Sequence, residues 1–167
     1  MTETLDENRL FDVLNLEEVD RIPCVSPLQT GTIDLMKMTG AYWPDANNDS
    51  ILMAKLAKVA HTIAGIESIR VPFDVSVDAT AFGAITGKES IDRQPAILDA
   101  PIKTPEALDG AAVPDPSKDG RAPVVLESIR LLAKEFPNTP VICAIVSPFM
   151  LAGQHEGGAK KPSWMSP

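Results

Sequence analysis

The sequence predicts an α/β fold built on parallel β-strands. Three short stretches, residues 22–25, 68–74 and 140–146, are apolar or β-branched and predict strands, the last of them buried on both faces. Apolar residues at helical spacing lie between them, most clearly over residues 51–64 and 124–135. Because strands alternate with helices, we expect one sheet whose strands are joined by right-handed parallel crossovers.

The remaining segments follow from apolar spacing and from glycine and proline. A helix is predicted over residues 4–16. Another is predicted over residues 33–38, ending at Gly40 in the position that favours a glycine. Breakers interrupt residues 83–104, where we expect a hairpin, and residues 110–123, where we expect a surface loop.

Composition excludes several classes of protein. The chain of 167 residues has 15 Lys and Arg against 23 Asp and Glu, so its net charge of −8 argues against nucleic-acid binding. No apolar run approaches the roughly 20 residues that cross a bilayer, and the acidic start lacks a secretory signal. Two isolated cysteines make no disulfide framework. A cytoplasmic protein without nucleic-acid or membrane partners is expected.

The last residues differ in character from the rest. Residues 154–167 are polar, marked by glycine and proline, and lack an apolar period. The predicted strand over residues 140–146 should be followed by a covering helix, which this composition is not suited to form. We therefore expect residues 1–153 to form the folded unit and residues 154–167 to form an atypical, disordered tail.

Five short motifs, in order along the chain, give the sequence a specific likeness. They are DRIP at 20–23, QTGT at 29–32, AYWPD at 41–45, RVPFD at 70–74 and SPFMLA at 147–152. Together they resemble the uroporphyrinogen decarboxylase superfamily, and within it the methylcobamide:coenzyme M methyltransferases of methanogenic methyl metabolism. The resemblance implies the N-terminal portion of a TIM-type (β/α)8 barrel, because a whole barrel takes about 250 residues and only about three strands are predicted.

The resemblance also implies a chemistry. The methyltransferase branch transfers a methyl group from a methylated corrinoid protein to a thiol such as coenzyme M, which zinc activates as the thiolate. Its zinc ligands are a His-x-Cys pair and a later Cys in the second half of the barrel, and the sequence contains no His-x-Cys. Zinc and a corrinoid are thus implied for the full-length family and neither for this chain alone, which we expect to be inactive by itself.

Two alternatives remain open. Uroporphyrinogen decarboxylases hold their substrate's carboxylates with two arginines after the first strand, but Leu28 and Thr32 stand at those positions here. The other alternative is a non-enzymatic fragment, or half of a split barrel that a second polypeptide completes, since an open sheet edge requires a partner.

Two residues are predicted to bind substrate, and none is assigned as catalytic. Asp74 and Gln29 each follow a predicted strand, at the carboxyl ends where such barrels place their sites. The structural alternatives are a turn aspartate and a loop glutamine bonded to backbone.

No metal site is predicted from the histidines and cysteines. Cys24 and Cys143 lie in apolar strand sequence and are expected to be buried. His61 suits the C-terminus of its helix, where a positive ring complements the helix dipole. His155 beside Glu156 is too small a set to hold a metal ion.

Overall fold

The computed structural model describes residues 9–28, 31–88, 90–102 and 104–155, and these contain eight helices. The helices are α1 Arg9–Leu14, α2 Ile33–Thr39, α3 Asp45–Asn48, α4 Ser50–Thr62, α5 Val77–Ala81, α6 Pro105–Asp109, α7 Ala122–Glu135 and α8 Pro148–His155. In the described ranges, none of these helices has the length and apolar character to cross a bilayer.

The described strands form two separate pairs. Strand β1 (Ile69–Val71) runs parallel to strand β4 (Val141–Cys143), and Ile69 pairs with Val141. Strand β2 (Ile85–Thr86) runs antiparallel to strand β3 (Ile97–Asp99). The α/β class and the hairpin in residues 83–104 are therefore confirmed.

The core lies between β1 and the two longest helices, α4 and α7. Five fully buried side chains from these elements form its centre: Met53, Leu56, Ile69, Val71 and Leu132. Asp49 starts α4 by accepting hydrogen bonds from the backbone N–H groups of Ile51 and Leu52, both at 2.9 Å. The predicted helices over residues 51–64 and 124–135 are thus α4 and α7.

The short helices agree with the sequence in part. Helix α2 ends at Gly40 with φ of 67°, which confirms the helix predicted over residues 33–38 and its closing glycine. Helix α1 covers only part of the predicted residues 4–16, of which residues 4–8 lie outside the described residues. Helix α6 was not predicted, although Thr104 caps it by accepting a hydrogen bond from Ala107.

The strand predicted over residues 22–25 is wrong. These residues are extended without strand pairing, and Ile22 is 88% exposed. Pro23 has no N–H to donate, and the Cys24 N–H bonds to the Glu67 side chain rather than to a neighbouring strand. The described residues therefore contain two parallel strands where about three were expected.

A helix that was not predicted follows the last strand, and it lies mostly before the predicted tail of residues 154–167. Helix α8 begins at Pro148, a residue preorganised for the first helical turn, and the Ser147 hydroxyl accepts a hydrogen bond from Met150 N–H at 3.2 Å. This Ser-Pro pair is the signal that sequence reasoning overlooked. The helix includes Gln154 and His155, and the rest of the predicted tail, residues 156–167, lies outside the described residues.

A buried charge network holds the start of the chain against the amino end of β1. We call Arg9, Asp20, Arg21 and Glu67 the Glu67 network. Both arginines donate to the buried Glu67 carboxylate, which also accepts from Cys24 N–H at 2.7 Å, and Arg9 donates to Asp20 at 2.6 Å. Burial alone would raise the pKa of Glu67, but the Cys24 and arginine hydrogen bonds and charges lower it below its ordinary value.

Removing the charge of Glu67 tests this anchor. We expect Glu67→Gln to lower the free energy of unfolding by about 3 to 5 kcal/mol, because it leaves two guanidinium groups without their shared carboxylate. Glu135→Gln, which breaks an exposed pair with Lys58, is the matched control and should cost less than about 1 kcal/mol. Urea unfolding measures both, and equal losses would contradict a buried anchor.

Candidate functional site

Asp74 lies three residues beyond the end of β1 and is 3% exposed. Its Oδ1 accepts hydrogen bonds from Ser76 N–H at 2.8 Å, from the Ser76 hydroxyl at 2.5 Å and from Arg121 Nη2 at 2.8 Å. Its Oδ2 accepts from Arg121 Nη1 at 2.8 Å. We call these three residues the Asp74 cluster. The carboxylate is thus held by a two-pronged guanidinium, the geometry of the strongest protein ion pairs.

The cluster keeps Asp74 ionised. Burial by itself would raise the pKa of this carboxyl. The hydrogen bonds and charge of Arg121, with the two bonds from Ser76, outweigh burial and lower the pKa below its ordinary value. Asp74 therefore stays a carboxylate at neutral pH and acts as an acceptor of hydrogen bonds.

A tight loop brings Arg121 to this place. The preceding Gly120 has φ of 58°, and a Cβ there would lie 2.6 Å from the backbone nitrogen of Ala81 in α5. Only glycine permits both the left-handed backbone and this close approach. Arg121 then precedes α7, so the ion pair joins the carboxyl end of β1 to the start of that helix. Arg121 was not predicted from the sequence. The signal that could have indicated it is Gly120, a turn residue placed directly before Arg121 and helix α7.

Aromatic residues pack beside the cluster. Trp43 is 7% exposed, and its ring lies 6.0 Å from that of Phe73, centroid to centroid. Gly31 approaches Trp43 so closely that a Cβ would lie 2.9 Å from its Cζ2 atom. The loop predicted to carry a substrate ligand therefore passes next to these rings. Gln29 itself lies outside the described residues, and its role stays a prediction.

Arg70 is the second guanidinium of this region and was quoted in the RVPFD motif without a role. It is 5% exposed, and its Nε and Nη1 atoms are buried with no hydrogen-bond partner. Burial lowers its pKa, while the charge of Asp74 acts in the opposite direction. Strand alternation directs Arg70 away from the face on which Ile69 and Val71 join the core.

The two histidines are packed in the protein interior. His61 Nδ1 lies 2.7 Å from the Ile66 carbonyl oxygen, and its ring meets Phe136 edge-on at 5.6 Å. His155 ends α8, lies edge-on to Phe82 at 5.3 Å and has a pKa lowered by burial. Glu156 lies outside the described residues, so the pair with His155 is not defined.

The expectation that both cysteines are buried is wrong. Cys24 is exposed because its segment joins no sheet, and Cys143 is exposed at the end of β4, which has one free edge in the part of the chain described. Burial of the Cys143 thiol itself still raises its pKa, with the charge of Asp78 acting in the same direction. Among the described residues, no three His, Cys, Asp or Glu side chains are placed to hold a metal ion.

The site thus consists of one buried carboxylate and two guanidinium groups at and below the carboxyl end of β1. Asp74 was predicted from the sequence because it follows a strand, and its role in binding substrate stays a prediction. The structure adds Ser76 and Arg121, and it shows that the Asp74 oxygens are already engaged within the protein. Such an arrangement can position a loop and offer positive charge to an anion.

Comparisons with known proteins place the chain in a family. Residues 5–165 match the uroporphyrinogen decarboxylase (URO-D) family. The chain is 38% identical over 160 residues to the methylcobamide:CoM methyltransferase MtbA of Methanosarcina mazei, covering 95% of this chain and 46% of that protein. It is 37% identical to the methylcobamide:CoM methyltransferase MtaA of Methanosarcina barkeri, covering 91% of this chain and 45% of that protein.

Comparison with solved structures also finds a similar methyltransferase. The described fold resembles that of a methyltransferase from Methanosarcina mazei with a TM-score of 0.82 and 36% sequence identity. The match covers 92% of this chain and 45% of that one. The chain therefore spans less than half the length of the relatives it matches, and it shares the fold of this solved structure over the matched part.

The Asp74 cluster makes a prediction about pH. Because the folded-state pKa of Asp74 lies below its ordinary value of 3.8, its contribution to stability is present above about pH 4 and is lost as the pH falls through the folded pKa. Asp74→Asn should cost about 3 to 5 kcal/mol of unfolding free energy at pH 7 and progressively less below pH 4. Urea unfolding across this range measures the gap. Asp34→Asn, at an exposed pair with Lys37, is the control and should show almost no gap.

Gly120 makes a second prediction. Gly120→Ala should cost about 2 to 5 kcal/mol, because the added methyl group meets the backbone of α5 and also requires a left-handed alanine. Gly40→Ala, at φ of 67° with no atom within 4 Å of the added carbon, should cost only about 1 to 2 kcal/mol. Thermal unfolding compares the two variants. Equal costs would show that close packing at Gly120 is not what places Arg121.

Proposed function

The chain belongs to the uroporphyrinogen decarboxylase family, and we propose that it supplies the N-terminal part of a methyltransferase that moves a methyl group from a methylated corrinoid protein to a thiol such as coenzyme M. One observation carries this proposal. The chain is 38% identical to one methylcobamide:CoM methyltransferase in an alignment that covers 95% of this chain. It is 37% identical to a second such enzyme in an alignment that covers 91% of this chain. A cytoplasmic location is part of the proposal.

We propose that the architecture is an incomplete TIM-type barrel. Supporting this, β1 and β4 are parallel neighbours, and α4 and α7 pack against one face of them. In a barrel the opposite face would turn inward, and further strands would pair with the edges that are free among the described residues. The relatives extend to about twice the length of this chain, which is room for the remaining strands.

The described residues do not fit a zinc site, so no step of the reaction is assigned to a metal here. The two cysteines lie on separate segments, and His61 is engaged with the Ile66 carbonyl group and Phe136. The residues of the Asp74 cluster instead hold two loops in place and carry charge. Asp74 fixes the loop that follows β1 through Ser76, and Arg121 fixes the start of α7. We propose that Asp74, with Gln29, borders the substrate site.

Porphyrinogen decarboxylation is less well supported by the residues present. Thr32 caps α2 by accepting a hydrogen bond from Leu35 N–H at 3.3 Å, and Leu28 is 75% exposed. Neither position supplies the cation that a polycarboxylate requires. An inert half-barrel remains the non-enzymatic candidate, and exposed apolar side chains such as Ile22 (88%) and Ile145 (78%) favour completion by a second polypeptide or by further chain.

Complementation tests the function. The chain is mixed with the segment of Methanosarcina mazei MtbA that it does not match, and loss of free thiol from 2-mercaptoethanesulfonate is followed with methylcobalamin as donor. We expect transfer by the mixture and none by either part alone, because only the mixture holds both halves of a barrel. Size-exclusion chromatography confirms association. An associated but inert mixture, or one that consumes uroporphyrinogen instead, would contradict the proposal.

Metal binding gives an independent prediction. Zinc titrated into the isolated chain should bind weakly and without fixed stoichiometry, because its described residues provide no set of three ligands. Competition with a chromogenic chelator measures the affinity. Tight binding of one zinc per chain that is abolished by Cys24→Ser or Cys143→Ser would contradict the assignment of metal chemistry to the other half.

A further inference from the structure

Arg70 is an unusual residue for the middle of a strand. It stands at the centre of β1, where its backbone is in register with Ile142 of β4, yet only 5% of the residue is exposed. Arginine is among the residue types that are least often buried, and buried examples are normally paired. Here two nitrogen atoms of the guanidinium group, Nε and Nη1, have no hydrogen-bond partner.

The carboxylate of Asp74, whose charge acts on Arg70, makes its hydrogen bonds to other groups. The negative charge of Asp74 raises the pKa of Arg70. The Asp74 oxygens, however, accept their hydrogen bonds from Arg121 and Ser76. Two guanidinium groups therefore share one carboxylate in this region. The Glu67 network at the other end of β1 contrasts with it, because there two arginines are matched by two carboxylates.

An arginine cannot remove this imbalance by losing its proton, because its pKa is far above neutral. Leaving a buried cation unmatched costs several kcal/mol, so the position requires an anion. The unused Nε and Nη1 donors lie on different edges of the guanidinium group, so a sulfonate or carboxylate on either edge would accept from one of them. The charge of Arg70 also acts on the thiol of Cys143, an exposed residue at the end of the neighbouring strand β4.

We propose that Arg70 is an anion-binding residue that takes the oxyanion of the methyl acceptor, a thiol carrying a sulfonate or a carboxylate group. The identity of that acceptor rests on the proposed function. Arg70 then determines specificity by favouring anionic thiols over neutral ones, and it takes no part in the transfer of the methyl group. A carboxylate side chain from the remainder of the barrel offers the same chemistry, and the experiment separates these two sources.

The test measures binding by this chain alone. Thermal unfolding at constant ionic strength is followed against 2-mercaptoethanesulfonate, 3-mercaptopropionate and the neutral 2-mercaptoethanol. At least one of the two anionic thiols should raise the melting temperature of the wild-type chain saturably, and the neutral thiol should not. Arg70→Met should weaken the apparent affinity for that anion by about tenfold or more, because it removes the charge-assisted hydrogen bonds.

Two variants keep the result interpretable. Arg130→Met removes an arginine from the exposed side of α7, where the side chain is 63% exposed, and should respond to the anion as the wild-type chain does. Arg70→Lys keeps the charge but loses the directed guanidinium donors, and it should bind with intermediate affinity. Without any anion, Arg70→Met should melt no lower than the wild-type chain, since it removes an unmatched buried charge.

Each other outcome overturns the proposal. Equal shifts in the wild-type chain and Arg70→Met would mean a general salt effect. No shift in either would mean that the cation is matched within the protein or by the rest of the barrel. Failure of methyl transfer in the complementation experiment would leave the anion effect intact, so an error in the proposed function is distinguishable from an error here.

Discussion

The ion pair between Arg121 and Asp74 is the interaction on which the rest of the described structure depends. It joins two segments that are 47 residues apart, the loop after β1 and the turn before α7. Because α7 packs on both α4 and β1, the position of this turn determines how the core closes. A buried pair of this kind adds modest net stability but large specificity of arrangement, since any other placement leaves a charge unmatched in the interior.

The charges around β1 divide by their position along the strand. At its amino end, the Glu67 network is matched in charge and holds the start of the chain, which is a structural task. At and below its carboxyl end, Asp74 bonds to Arg121, while Nε and Nη1 of Arg70 have no hydrogen-bond partner. In the proposed barrel this division would match the general rule that the amino ends of the strands serve stability and the carboxyl ends carry the chemistry.

Much of the fold was predictable from local patterns, and most of the site was not. The helices α2, α4 and α7 follow from apolar spacing and end residues, and Asp74 follows from its place after a strand. The failures lie where tertiary contacts decide. Residues 22–25 look like a strand, but Cys24 bonds to the backbone N–H and the side chain of Glu67 without forming a strand ladder. The partner of Asp74 lies 47 residues away, a distance that no local pattern spans.

The imbalance at Arg70 suggests how the work of such a methyltransferase divides between the halves of its barrel. Thiol activation needs soft or imidazole ligands for a metal ion, and recognition of an anionic acceptor needs a fixed cation. If Arg70 binds the acceptor as proposed, the described residues supply the second requirement, since a strand that also carries the core residues Ile69 and Val71 holds this arginine. A cation on a strand, rather than on a loop, would then fix the acceptor's anionic end and leave its thiol end free for the other half. Specificity for the acceptor would then reside in this chain, and reactivity in the part that completes it.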